Sequence, residues 1–282
     1  ERGGETVGWT KAKTGRVFIH LFLALLAVIT VIPFFYVVII SFGKNVIDTG
    51  AFAITELTLD NYTRLFSETR FMSWILNSLL LAAVTMVVAV LVVSICVYAF
   101  SRLRFYGRVG LFNFILLVQI FPLTLSMVSI FKIFVALGLL NKLEGLILAD
   151  SAFASAGLVI LAKGYFDTIP YSLDEAAMID GAGKFKILTR ITLPLAKPMI
   201  AIVAIQSFVI AYNEYVIAST VMTQKLEAMP LAVGLQSMIV GQFGINWSVY
   251  CAGAVLGSIP MLVLFYSLQK YFIGGLTEGS VK

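Results

Sequence analysis

The sequence predicts an all-α integral membrane protein with six transmembrane helices and a helix-turn-helix loop on its cytoplasmic side. Three observations predict it. Hydrophobic residues make up 60% of the 282-residue chain and charged residues 12%, against about one-quarter charged in a soluble domain. Apolar runs of about 20 residues, the length that crosses a bilayer as a helix, recur along the chain. Lys and Arg are dense and sparse by turns in successive connecting segments. Such a composition excludes a water-soluble enzyme, a nucleic-acid binder and a disordered chain. The excess of 20 basic over 15 acidic residues is what a cytoplasm-facing charge bias produces, so it does not argue for nucleic acid.

The expected spans are residues 17–42, 74–100, 109–131, 145–162, 199–222 and 247–269. The second, third and sixth carry no charge. The first has only His20, one turn in from its basic flank, and is too long for a signal-peptide core, so it is read as a retained helix. The chain does not begin with Met, which leaves room for a native start outside this numbering. The fourth is short, because Asp150 leaves only 151–162 free of charge. Loop charge decides in its favour. Lys and Arg number 4 in 1–16, 3 in 101–108, 5 in 163–198 and 2 in 270–282, but 3 in 43–73, 2 in 132–144 and 1 in 223–246. Basic residues gather on the cytoplasmic side, so 101–108 and 163–198 both lie inside and an even number of crossings separates them. That requires the fourth span and puts both termini in the cytoplasm. Its run SAFASAG at 151–157 suits close helix packing in a bundle. The outer segment 43–73 is long enough for short surface helices. Pro33, Pro122, Gly253, Gly257 and Pro260 allow kinks where neighbours satisfy the freed backbone groups.

The inner segment 163–198 is too polar to enter the bilayer and too well patterned to be a tether. Ser172 with Glu175 forms an S-x-x-E capping box after Pro170, which starts a short helix. Ala176 and Ala177 leave that helix small-sided, so another surface can approach its backbone. Asp180-Gly181-Ala182-Gly183 stops it, since Gly supplies the left-handed turn that ends helices. A second helix follows with Phe185, Leu188 and Ile191 on one face. Pro194 ends it, and Pro198 opens the fifth span. A rigid helix-turn-helix held on two membrane helices can receive a push from a cytoplasmic partner.

Glu175-Ala176-Ala177, Gly181 four residues after the last Ala, and the I-x-LP of Ile191, Leu193 and Pro194 resemble the signature loop of binding-protein-dependent ABC import permeases. KGYFDTI at 163–169, QIFP at 119–122 and GGLTEGSVK at 274–282 are similar to the smaller membrane subunit of maltose-type carbohydrate importers, and the resemblance covers essentially the whole chain. It implies one transmembrane domain, 1–282, of the type I importer permease fold, in a bacterial or archaeal inner membrane. It also implies a second, homologous permease subunit, two ATPase subunits that carry ATP and Mg, and a periplasmic or extracellular solute-binding protein. The EAA helix, with Asp180 at its end, would enter a cleft on one ATPase, where Glu175 would meet a basic residue. The outer loop 223–246, with its tip at Gly241, Gln242, Phe243 and Gly244, would reach the binding protein, and the tail 274–282 would contact the ATPases. Substrate would be a carbohydrate, neutral or acidic, or glycerol phosphate.

Several residues carry two readings. Glu175 is either the third residue of a capping box or a partner contact. Glu214 is the one acid in the middle of an apolar run trusted as a span. With Asn213 and Gln206 it would either line a translocation path or make interhelical hydrogen bonds. Gln119 has the same ambiguity and leans structural. GAGK at 181–184 is no phosphate loop, because Met178 stands in place of the first Gly and Phe185 in place of the magnesium-binding Ser or Thr. No nucleotide site is therefore expected in this chain. Cys96 and Cys251 lie in apolar runs without metal-ligand spacing and read as buried thiols. A self-contained secondary carrier or channel, with Glu214 as its relay, is the rival. It leaves the EAA loop unexplained and has a single intramembrane acid to work with. A membrane enzyme is the weaker rival, since His20 has no acidic or cysteine partner nearby.

Overall fold

The structure is a computed structural model that describes residues 5–44, 56–240 and 246–278, of which 5–15, 240, 268 and 270–278 by backbone alone. These residues are helical apart from turns and one antiparallel bridge between Gly43 and Leu57. The helices are α1 (Glu5–Ser41), α2 (Asp60–Glu68), α3 (Phe71–Arg102), α4 (Arg108–Ile120), α5 (Met127–Ala136), α6 (Leu143–Phe166) and α7 (Ser172–Ile179). They continue with α8 (Lys184–Ile187), α9 (Leu193–Leu195), α10 (Lys197–Tyr212), α11 (Ala218–Val221), α12 (Leu231–Val240) and α13 (Trp247–Glu278). A 3-10 turn, Leu123–Ser126, precedes α5, and a π-helical turn, Leu188–Thr192, joins α8 to α9.

α3 packs against both α6 and α10, and this trio forms the centre of the bundle. Its buried stripe, Trp74, Ser78, Leu81, Thr85, Ala89, Val93 and Val97, recurs every three or four residues, as one face of a helix must. Small residues face it from α6, where Ser151, Ala154 and Ser155 are buried. In lipid, where apolar contact between helices gains nothing over contact with acyl chains, such residues let backbones pack closely. Nearer one end of α3 the core is built on Trp74, Leu146, Phe208, Tyr212 and Leu231. Nearer the other it is built on Val97, Leu158, Phe166 and Val203. The Tyr212 hydroxyl donates to the Gly257 carbonyl at 2.7 Å, so this buried ring finds a partner for its polar tip. α1 lies against α13 and leaves most of its apolar surface exposed. Asn61 of α2 donates to the Ser41 and Gly43 carbonyls at 2.9 Å, which fastens the end of α1 to the start of the outer segment.

Four described helices are long and apolar enough to cross a bilayer alone: residues 16–41 of α1, α3, α6, and residues 247–267 of α13. The fourth expected span is thus one unbroken 24-residue helix, α6, with Asp150 buried inside it. The third and fifth expected spans differ. Residues 109–131 are not one helix. α4 stops at Ile120, and 123–136 departs at 91°. Pro122 has no N–H to continue the helical ladder, and its ring forces Phe121 into extended backbone at φ −75°, ψ 125°. Residues 199–222 are also interrupted, because α10 ends at Tyr212 and α11 is a separate turn. If each bent pair counts as one crossing, the number of spans rises to 6.

One glycine carries a steric demand on this packing. A Cβ at Gly234 of α12 would lie 2.2 Å from the Trp74 ring. Gly234→Ala is expected to destabilise the protein by about 1–3 kcal/mol through overpacking, while Gly110→Ala, with nothing within 4 Å, stays near wild type. Thermal unfolding in detergent distinguishes the two.

Candidate functional site

The segment after α6 folds as a helix, a turn and a second, irregular helix. α7 does not begin with the expected capping box. Tyr171 is already in the right-handed helical region at φ −66°, ψ −24°, and no side chain caps the helix, whereas an N-cap residue needs extended backbone. The first amides are met instead by main chain. Leu173 N–H donates to the Pro170 carbonyl at 3.3 Å, and Asp174 and Glu175 donate to the Tyr171 carbonyl at 3.0 and 3.1 Å. Glu175 therefore has no capping role, and its side chain is exposed.

The C-terminal end of α7 follows the sequence expectation closely. Gly181 sits at φ +76°. Its N–H donates to the Met178 carbonyl at 3.0 Å, and the Ala182 N–H to the Ala177 carbonyl at 2.9 Å. This pair of bonds is a Schellman motif, which closes the helix on a left-handed residue. Ala177, Ile187, Leu188 and Tyr98 form a small buried cluster beneath the loop, with Ala182, Ile191 and Leu193 packed on it. So only Ala176 of the two alanines lies on the open face, and Ala177 serves the packing. Phe185 does not share a face with Leu188 and Ile191. It is 77% exposed, and Ile187 takes the buried place. The π-helical turn at Leu188–Thr192 adds a residue per turn and so shifts the apolar register. Pro194 lies within the first turn of α9 rather than ending the helix, and the chain turns by 84° between Leu195 and Lys197. Pro198 does sit at the start of α10.

The loop is anchored by a group that its sequence pattern did not reveal. Arg102, the last residue of α3, places Nε 2.7 Å from Asp174 Oδ2, with side chains 6% and 1% exposed. Its Nη2 donates to the Ile169 carbonyl at 2.8 Å, and its guanidinium lies 5.7 Å from the centroid of the Tyr171 ring. One side chain thus holds three residues that lead into and begin α7. Removing one partner of a buried pair costs about 3–5 kcal/mol. On the open side, Glu175, Ala176, Asp180 and the turn at Gly181 form a surface flanked by Met178, Ile179 and Phe185, all exposed apolar side chains.

The residues expected along a path are dispersed. Gln206 and Asn213 are exposed, but Glu214 is buried, so the three form no single stripe. Glu214 Oε1 accepts the N–H groups of Ile217 and Ala218, which repairs the backbone after the break in α10. Nor is Glu214 alone, because the Asp150 carboxyl of α6 is buried close enough to interact with it electrostatically. The Asn213 amide donates to the Val209 carbonyl of its own helix at 2.9 Å. Gln119 donates to the Phe153 carbonyl at 3.4 Å, across from Gly157 of α6. Gly241, Gln242, Phe243 and Gly244 lie outside the described residues, as do the last four residues of the expected tail.

A bundle of long apolar helices with a polar helix-turn-helix between two of them defines an integral membrane protein with a structured loop outside the bilayer. Residues 98–277 match the model of the binding-protein-dependent transport system inner membrane component family. A maltodextrin transport system permease protein of Bacillus subtilis, MdxG, is 34% identical over 279 residues, covering 97% of this chain and 98% of that protein. A galactooligosaccharides transport system permease protein of the same organism, GanQ, is 37% identical over 271 residues, covering 94% and 95%. The Escherichia coli maltose/maltodextrin transport system permease protein MalG is 32% identical over 291 residues, covering 96% and 98%. A chain of a bacterial ABC transporter involved in import of the acidic polysaccharide alginate shares the fold, with TM-score 0.78 and 24% identity over 96% of this chain and 98% of that one. The chain belongs to the family of binding-protein-dependent transport system inner membrane components.

Gly181 and Gly183 give an internal control on the loop. Gly181→Ala places a Cβ on a left-handed residue, a strain of about 1–2 kcal/mol. Gly183 has ordinary backbone at φ −71° and open space around it. The first variant is expected to raise protease sensitivity of the 170–198 segment in detergent and the second to leave it unchanged.

Proposed function

We propose that this chain is one of two homologous membrane subunits that enclose the translocation path of an ATP-driven carbohydrate importer. Oligosaccharide is the substrate class, supported by relatives named for maltodextrin, galactooligosaccharides and maltose. Two cytoplasmic ATPase subunits bind ATP and Mg, and a solute-binding protein delivers substrate on the other side. Both termini and the α7 loop are cytoplasmic, and the loop 223–246 faces the binding protein. Glu175, Ala176, Asp180 and Gly181 dock into a cleft on one ATPase. Ile191 and Pro194 belong to the second helix that backs them.

The observation that carries this reading is the open face of α7. A carboxylate, a small residue and exposed apolar side chains stand there together, on a helix whose other face is packed on Tyr98, Ile187 and Leu188. An exposed apolar rim around a charged, small-sided helix fits a protein partner better than water.

Because Glu175 caps nothing, its substitution tests contact rather than folding. Glu175→Gln is expected to assemble with the ATPases but to lose a charge-assisted bond of about 1.5–3 kcal/mol. Glu175→Lys should do worse, and a charge-reversed ATPase partner should restore part of its activity. Uptake and binding-protein-stimulated ATPase in proteoliposomes, with co-purification as the assembly control, are the measurements. Wild-type coupling in both variants would remove Glu175 from the interface. At the opposite side, shortening 241–244 is expected to weaken stimulation by loaded binding protein, and unchanged stimulation would make that loop a plain connector.

A further inference from the structure

Helix α3 is gripped at both ends by polar contacts to the two segments on which the proposed function turns. At its start, Trp74 Nε1 donates to the Leu226 carbonyl at 2.7 Å. One turn on, Asn77 donates to the Glu227 and Met229 carbonyls at 2.8 and 3.1 Å. The fully buried Ser78 hydroxyl accepts the Leu231 N–H at 2.8 Å. The main chain of residues 226–231, the described stretch that leads into α12 and the outer tip, is thus held by side chains from the first turns of one helix. Gly234 then lies so close to the Trp74 ring that no side chain fits between them. At its other end, Arg102 holds Asp174, the Ile169 carbonyl and the Tyr171 ring, as described above.

What joins the two grips is uniform. α3 has 32 residues, roughly 48 Å at 1.5 Å per residue. It is the only described helix of 16 or more residues without a Gly or Pro. Kinks arise at such residues, and the chain supplies them elsewhere, with Pro33 in α1 and Pro260 in α13. A stripe of buried side chains runs the length of α3, so it moves with the α6–α10 core or not at all.

We propose that α3 is a rigid strut that links the outer segment 226–231 to α7, with Trp74 as the positioning residue at one end and Arg102 at the other. This rests on the reading that α7 meets the ATPase and the outer loop meets the binding protein. Trp74 and Arg102 are themselves buried, so neither presents a surface that touches a partner. Each sets the angle at which the strut holds a segment that does. Arginine suits the inner end because a planar guanidinium reaches a carboxylate, a carbonyl and a ring at once. Lysine keeps the charge but makes only a point contact.

The test is a double-mutant cycle on the whole importer in proteoliposomes, using Trp74→Phe, Arg102→Lys and the pair. Trp74→Phe removes one hydrogen bond and keeps an aromatic ring. The readout is the ratio of binding-protein-stimulated to unstimulated ATPase, with co-purification checking assembly. Each single variant is expected to lower that ratio by roughly 3- to 10-fold, the size of effects along a coupled network. The double variant should lower it no further than the stronger single, because both interrupt one line. Independent sites would multiply their losses, and multiplied losses overturn the proposal. So does a wild-type ratio in both singles. Failure of Arg102→Lys to assemble would make the pair a folding element and end its positioning role. The strut is then tested with Tyr171→Leu, which removes only the ring beneath the guanidinium, under the same two criteria. Normal coupling in these variants alongside uncoupled Glu175→Gln would refute the strut and leave the importer reading standing. Normal coupling in Glu175→Gln and Glu175→Lys as well would remove the α7 contact on which the strut rests.

Discussion

Hydrocarbon offers a backbone no hydrogen bonds, so every interruption of a helix at membrane depth must be satisfied from within the protein. Several polar residues in and beside the apolar runs of this chain answer that constraint. After α10 ends, the Glu214 carboxylate takes up the amides of Ile217 and Ala218. Asn213 returns its amide to the helix it terminates. Asn141, at φ +56°, donates its N–H to the Val221 carbonyl and accepts the Gln224 N–H on its side chain. The break after α10 and the turn after α5 are therefore supported structures. α6 and above all α3 are the continuous members against which they are braced.

The same constraint explains what could be read in advance. Spans were legible as lengths, because hydropathy reports how much apolar chain is present. It does not report where the chain bends. Residues 109–131 contain no charge and nothing in their apolarity marks the 91° turn. Pro122 was the single local signal, and a proline in a membrane helix is as often a kink as a break. The fourth span was legible through a different route, the alternation of basic loops, and α6 is a continuous apolar helix although Asp150 lies within it. Glu214 was visible as an anomaly, but its service to amides three and four residues later depends on a break that hydropathy does not mark.

In the α7 loop, Gly181 was legible because a left-handed turn admits few other residues. The capping box failed for a physical reason. Tyr171 is already helical, so the amides that Ser172 would have capped find its carbonyl as a main-chain acceptor. Capping motifs are signals of need, and here the need was met upstream. In the sequence Arg102 is one of three basic residues in 101–108, and Asp174 simply precedes Glu175. Neither local pattern contains the other, and their meeting is a tertiary fact.

Stability alone does not account for an ion pair at that place. Buried pairs are often replaced by apolar residues at no cost, although removing one partner is expensive. Beneath α7, the cluster of Tyr98, Ala177, Ile187 and Leu188 already supplies apolar adhesion. Apolar contact is non-directional, however, and a short helix resting through Ala177 on three such side chains could slide or roll. The guanidinium adds what the cluster lacks. The ion pair with Asp174 fixes the position of α7, and the directional bond from Nη2 to the Ile169 carbonyl sets the course of the chain entering it. Adhesion and orientation are thus assigned to different residues, and only the second depends on α3 ending in an arginine.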